Sequence, residues 1–98
     1  MPDLMPSPLV IESAMLKVIS IHKMGMHTKD LEKGVADFLE LSQELQEITR
    51  ADKRGEFGYR LAWARTKAKG KGHIERIDHA TWRITEAGLE YLKLQEKM

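Results

Sequence analysis

Between Phe57 and Ile74 the chain carries Arg60, Arg65, Lys67, Lys69 and Lys71 with no Asp or Glu among them. Tyr59, Trp63 and Thr66 are interleaved with those cations. Such a pattern suits noncovalent recognition of a polyanion: cations hold phosphates while the residues between them approach bases. Arg adds a planar fork that pairs bidentately with guanine, which Lys does less well. Covalent and metal chemistry find less material here. Four His stand at 22, 27, 73 and 79, with no Cys and no His-Glu-x-x-His arrangement. A His73–His79 pair across a hairpin would supply two ligands, short of a structural metal site. Gly70-Lys71-Gly72 lacks the spacing of a phosphate-binding loop, and neither a nucleophile elbow nor a carboxylate pair is evident. No cofactor and no catalytic residue is expected.

The formal net charge of +1 conceals an asymmetry. Residues 1–49 hold four Lys against eight acids, residues 50–83 hold ten Lys or Arg against four acids, and residues 84–98 hold two Lys against three Glu. The positive field therefore belongs to one third of the chain, as a nucleic-acid surface requires. Basic helices are also often simply solvated, so charge alone leaves both readings open. The acids of the first half read as the solvated face of two helices. The 98 residues make a single domain over 1–98, with 1–6 expected to be flexible. No apolar run approaches the roughly 18 residues of a membrane span, and no basic-then-apolar leader opens the chain. A cytoplasmic location, away from membranes, is the expectation.

The basic segment must be held by regular elements, and the sequence marks them. Ser7 before Pro8 is a helix start, since a proline at the first helical position forfeits no hydrogen bond. Ile11, Met15, Val18 and His22, with Ala14 and Ile19, form that helix's stripe, and Gly25 is the expected terminator. Thr28 opens a second helix with Leu31, Val35, Leu39 and Phe38 on its buried side and Asp30 and Glu32 in its first turn. Ser42 begins a short capped turn, and Thr49 to Gly55 is expected to be a loop. That connection is long for a simple helix-turn-helix, which uses about three or four residues.

A third helix runs from about Phe57 to Lys69, with Phe57, Leu61, Ala64 and Ala68 in one narrow stripe. Tyr59, Ala62 and Thr66 then fall on the opposite side, with Trp63 towards one border. Arg60 and Lys67 flank that border, and Arg65 and Lys69 flank the other. Each of these residues has a plainer alternative. Trp63 could be a packing residue against a neighbouring hairpin, Tyr59 a surface aromatic, and Arg65 an ion-pair partner of Glu56 or of an acid on another helix. Gly70 and Gly72 stop the helix, and His73 to Ile77 reads as a strand whose Ile74 and Ile77 have opposite parity. Asp78-His79-Ala80 makes a turn, and Thr81 to Ile84 returns with Trp82 and Ile84 on one face. Thr85 caps a last helix that packs through Leu89, Leu92 and Tyr91, while Gly88 in its first turns implies a close approach. Helix, two-stranded ribbon, helix is the C-terminal half of a winged helix-turn-helix: an α+β, mostly helical fold with a two-stranded wing.

Tyr59-Arg60-Leu61-Ala62-Trp63-Ala64-Arg65-Thr66, followed by Lys69, Gly72, Ile74-Glu75 and Trp82-Arg83-Ile84-Thr85-Glu86-Ala87-Gly88, resembles the N-terminal domain of Mrr-type restriction proteins. The specific part is the W-A-R-T and W-R-I-T-x-x-G pair at its proper separation. The Ser7-Pro8-Leu9 start and the Leu41-Ser42 junction also fit, so the resemblance covers most of the chain. It implies a winged-helix fold and DNA recognition beside a nuclease domain that cuts modified DNA. Three residues depart from the pattern: Ala68 replaces Leu, Lys71 replaces Ala and His73 replaces Leu. The turn Asp78-His79-Ala80 stands where relatives often carry basic residues and Gly, and an acid there opposes a phosphate backbone. Ninety-eight residues taken up by a winged helix leave no room for the nuclease metal site.

Together these features predict a non-catalytic duplex DNA-binding domain with its third helix in the major groove. Arg60, Arg65, Lys67 and Lys69 would position that helix, and Tyr59, Ala62, Trp63 and Thr66 would lie nearest the bases. Arg76 and Arg83 would add backbone contacts from the wing. Such a domain could regulate transcription or target a restriction nuclease, alone, beside a nuclease subunit, or as a homodimer through its first and last helices. The alternatives are a protein-interaction module that uses the same surface, and a separated subunit of a restriction nuclease.

Overall fold

The computed structural model describes residues 6–22, 24–47 and 55–96. In chain order the elements are α1 (Pro8–Ile21), β1 (Met26–His27), α2 (Thr28–Phe38), α3 (Gln43–Gln46), α4 (Glu56–Gly70), β2 (Ile74–Asp78), β3 (Thr81–Ile84) and α5 (Glu86–Glu96). This mostly helical order, with one antiparallel sheet closed by a hairpin, fits a winged helix-turn-helix.

Most of α1 is apolar around its circumference, so it must be enclosed. Ile11, Ala14, Met15, Leu16, Val18 and Ile19 are all buried, and α1 packs on α2, α4, β3 and α5. The Ser7 hydroxyl caps it by accepting from the Val10 N–H at 3.3 Å. The helix ends at Ile21, not at Gly25: His22 is its exposed cap residue, and Gly25 lies farther on, at φ +104° beneath Ile77. His22 accordingly belongs to no buried stripe.

Two residues too short to show any periodicity, Met26 and His27, form a third strand. The sheet order is β1-β3-β2, with Met26 opposite Trp82 and Ile74 opposite Ile84. Thr28 ties this edge down twice, its N–H and its hydroxyl both donating to the Ala80 carbonyl at 2.8 and 3.0 Å. The conflicting parity of Ile74 and Ile77 resolves as a bulge. The register shifts between Arg76 and Asp78, and Ile77 turns out towards Gly25 while Ile74 enters the core.

Leu31, Val35 and Ala36 bury the inner face of α2, with Leu39 partly buried beside them. Phe38 does not join them. It is the last residue of α2, half exposed at the edge of the core, with the Lys17 ammonium 5.9 Å from its ring centroid. The long connection after α2 contains α3, capped by the Ser42 hydroxyl at the Leu45 N–H and pinned by buried Leu45. The expected loop from Thr49 lies outside the described residues as far as residue 54, and the expected flexible segment as far as residue 5; Pro6 is described, and its carbonyl accepts from Arg60.

A left-handed Gly72, at φ +80°, ends α4. The His73 N–H returns to the Ala68 carbonyl at 2.9 Å and the Gly72 N–H to that of Lys69 at 3.0 Å, satisfying two terminal carbonyls. The start of α5 is locked onto this turn. Thr85 donates its N–H to the His73 carbonyl at 2.9 Å and its hydroxyl to the Gly72 carbonyl at 2.5 Å, while that hydroxyl accepts from the Gly88 N–H at 3.1 Å. Gly88 sits against the same carbonyl: a Cβ there would lie 2.2 Å from the His73 oxygen. The buried face of α5 is thus centred on Gly88 and Leu92. Leu89, about 100° around the helix from Gly88, stays 41% exposed at the border of that face.

Gly88→Ala therefore forces a backbone shift, with an expected loss of about 1–3 kcal/mol of stability. Gly70→Ala, at a helical position where a Cβ meets nothing within 4 Å, is expected to be neutral or stabilising by up to about 1 kcal/mol. Urea denaturation of the two variants checks the contrast.

Candidate nucleic-acid interface

Phe57, Leu61, Ala64 and Ala68 are the buried residues of α4, as the 100° periodicity predicts. Small Ala64 and Ala68 let this helix lie close against α1. With that stripe fixed, Tyr59, Ala62, Trp63 and Thr66 must face away from the core. Trp63 is 51% exposed, so packing against the hairpin is not its role. Tyr59 meets it edge to face, with centroids 6.4 Å apart. The Thr66 hydroxyl donates back to the Ala62 carbonyl at 3.1 Å, while Lys67 and Lys69 extend from the last turn, where the helix dipole favours cations.

The two basic borders flank two shallow grooves. One, beside the start of α1, is lined by Pro8, Glu56, Tyr59, Arg60, Trp63 and Lys67 among others. The other, of about 270 Å³, lies between α4 and the hairpin and is lined by Ala62, Arg65, Thr66, Lys69, Arg76 and Trp82. The partition of Arg60 and Lys67 from Arg65 and Lys69 matches the helical phase.

The arginines differ sharply in how they are held. Arg60 is drawn inward, its Nε 3.4 Å from Glu56 and its guanidinium donating to the Pro6 carbonyl at 2.9 Å. Glu56 is thus the partner of Arg60, four residues along the same helix, and not of Arg65. Arg83 pairs across the hairpin with Glu75, its register partner, with Nε at 2.9 Å. Arg65 donates to the Thr28 hydroxyl at 3.1 Å, and that hydroxyl donates onward to Ala80. One guanidinium therefore links α4, the start of α2 and the turn of the hairpin.

Arg65 also lies over the Trp82 ring, 5.8 Å from its centroid, and Arg76 lies 5.2 Å from the same centroid. Burial pushes the Arg65 guanidinium below its ordinary range; the Glu32 charge opposes that shift and the Arg76 charge adds to it. Trp82 itself is buried, on the same face of its strand as Ile84. Only the folded hairpin reveals that it also carries two guanidiniums. At the turn, Asp78 accepts from the Ala80 N–H at 3.0 Å, and this bond, with others from Thr81, holds its carboxyl below the usual range. The turn thus presents a charged acid, and Arg76 on the strand is the exposed basic group of the hairpin without an acidic partner among the described residues.

Lys71 belongs to the basic segment but is spent internally. Its ammonium donates to Glu12 at 2.9 Å and lies 5.9 Å from the Tyr91 centroid. Glu12 is 3% exposed, which corrects the expectation that the acids of the first helix are all solvated. The substitution of Lys for the family's Ala at position 71 was the one sequence signal for this pair. His73, another departure, stacks on Tyr91 with centroids 4.4 Å apart. Among the described residues, no group of three or more His, Cys, Asp or Glu comes together as a metal site, and no helix is long and apolar enough to cross a membrane.

The family model of the Mrr N-terminal domain matches residues 11–94, and the chain belongs to that family. The match spans α4, the hairpin and most of α5, and so includes the candidate contact residues from Tyr59 to Arg83, while Pro8 at the edge of one groove lies outside it. It associates the chain with Mrr-type restriction systems through their N-terminal domain and not through their nuclease domain. No curated protein and no solved structure matches.

Lys71→Met leaves the Glu12 carboxylate buried without its partner and is expected to cost about 1–3 kcal/mol. The Glu12 hydrogen bond raises the Lys71 pKa above its ordinary 10.5. The stabilisation is therefore fully present below pH 10.5 and is lost as pH rises through the raised value. Urea denaturation across neutral to alkaline pH should show the gap between wild type and variant closing only at that alkaline end.

Proposed function

We propose that this Mrr N-terminal domain binds duplex DNA without cutting it, laying the outward face of α4 in the major groove. The observation that carries this reading is the composition of that face. From Phe57 to the end of α4 there is no acid, and the aromatic and small residues lie between two basic borders. Tyr59, Ala62, Trp63 and Thr66 are nearest the bases; Arg60, Arg65, Lys67 and Lys69 hold the phosphates on either side. Of these, Lys67 and Lys69 are exposed and carry no internal ion pair among the described residues, so they contribute most directly. Arg60 and Arg83 must leave or share Glu56 and Glu75 to engage DNA. Arg76 is the wing's more available cation.

Membership of the family supports a targeting role: the domain selects DNA, and cleavage falls to a nuclease domain or subunit associated with it. Transcriptional regulation by the same DNA contact is the related alternative. A protein-interaction module using this face is the contrasting one, and the two differ in their response to salt. Neutralising phosphates releases counterions, so DNA affinity falls steeply as salt rises.

Fluorescence-anisotropy titration of duplex DNA, methylated and unmethylated, at several salt concentrations tests the proposal. Wild type is expected to bind at low salt and to release with added salt. Trp63→Ala/Lys67→Ala alters two exposed side chains and is expected to bind about tenfold more weakly, roughly 1.4 kcal/mol, with an unchanged melting temperature. A preference for methylated duplex would tie recognition to modified DNA. Failure of wild type to bind any duplex at low salt would contradict the proposal.

A further inference from the structure

The cleft between α4 and the hairpin brings together three cations and no acid: Arg65 and Lys69 from the helix and Arg76 from β2, with Ala62 and Thr66 as its small floor and Trp82 at its back. Two of these guanidiniums lie over a single indole, 5.8 and 5.2 Å from its centroid. The ring offsets only part of the repulsion between them. Arg65 has one guanidinium nitrogen anchored on Thr28, while its Nε is buried with no partner. Lys69 is exposed, with no ion pair among the described residues. Like charges converging on a concave, acid-free surface are stabilised by an anion seated among them.

We propose that this cleft seats a backbone phosphate of duplex DNA, gripped by Arg65, Lys69 and Arg76. The inference rests on the DNA-binding function proposed above and specifies where one strand's backbone crosses the domain. Ala62 and Thr66 belong both to the outward face of α4 and to this cleft, so a backbone bordering the groove occupied by α4 passes directly over it. The small floor lets that backbone come close. The wing then acts through Arg76 on its strand, and its turn, which carries the Asp78 carboxylate, stays clear of the phosphates. Arg83, paired with Glu75 on the exposed side of the hairpin, does not line this cleft. The cation–π contacts with Trp82 hold both guanidiniums, and the bond to Thr28 also holds that of Arg65, before DNA arrives, which lowers the ordering cost of the contact.

The test is the salt dependence of duplex affinity for wild type, Lys69→Gln/Arg76→Gln and, as a control on the exposed side of α5, Lys93→Gln. Arg65 is left unaltered because its bond to Thr28 belongs to the fold. Near-ultraviolet circular dichroism and melting temperature establish that each variant is folded. The expected result is a slope of log affinity against log salt shallower by about 0.9 in the double variant, the value for one lost phosphate contact, with Lys93→Gln close to wild type. A folded double variant with the wild-type slope and affinity would overturn the cleft assignment while leaving DNA binding by α4 intact. Absence of duplex binding by wild type would overturn both.

Discussion

The phase of α4 against α1 is the constraint on which the interface depends. Four residues, Phe57, Leu61, Ala64 and Ala68, are buried on α1 and its surroundings, and they leave one rotational setting for the helix. A one-residue slip would turn the helix by about 100° and carry Trp63 or Lys67 towards the core. Because α1 is itself enclosed by α2, α4, β3 and α5, that setting is held from every side. The outward face of α4 is thus a consequence of core packing.

Around that face the charges fall into two groups. Arg60, Lys71 and Arg83 each meet an acid, Glu56, Glu12 and Glu75 respectively. Lys67, Lys69 and Arg76 meet none among the described residues, and Arg65 has a hydroxyl and an indole in place of a carboxylate. The paired group lies around the margins, towards the N-terminal end of α4, at its C-terminal cap and on the outer side of the hairpin. The unpaired group lines the exposed half of α4 and the cleft beside it. A net charge of +1 for the whole chain therefore says little about the local field at this surface.

Much of this was legible in the sequence. The stripe of α4, the Ser7 and Ser42 caps, the hairpin and the close approach at Gly88 all follow from local patterns, and local patterns govern those features. Gly88 is instructive: its spacing from Trp82 and Thr85 is a sequence motif, and the physical reason is the His73 carbonyl beneath it. Features set by distant partners were not legible. The strand Met26–His27 is defined by pairing with β3, more than fifty residues away. Burial of Glu12 depends on Lys71 from the far end of α4. The exposure of Phe38 and Leu89 reflects where the core ends, which a helical stripe does not encode. The roles of Thr28 and Trp82 as supports for Arg65 needed three elements to be in place at once.

The outward face of α4, with the adjoining cleft, is the surface proposed to meet duplex DNA. The most direct measurement is residue-resolved NMR of the ¹⁵N-labelled domain titrated with a short duplex. Shifts concentrated on Tyr59 to Lys69, with the Arg76 amide and the Trp63 and Trp82 indole N–H groups, are the predicted result. Shifts confined to the exposed sides of α1 and α5, or none at all at low salt, would contradict it.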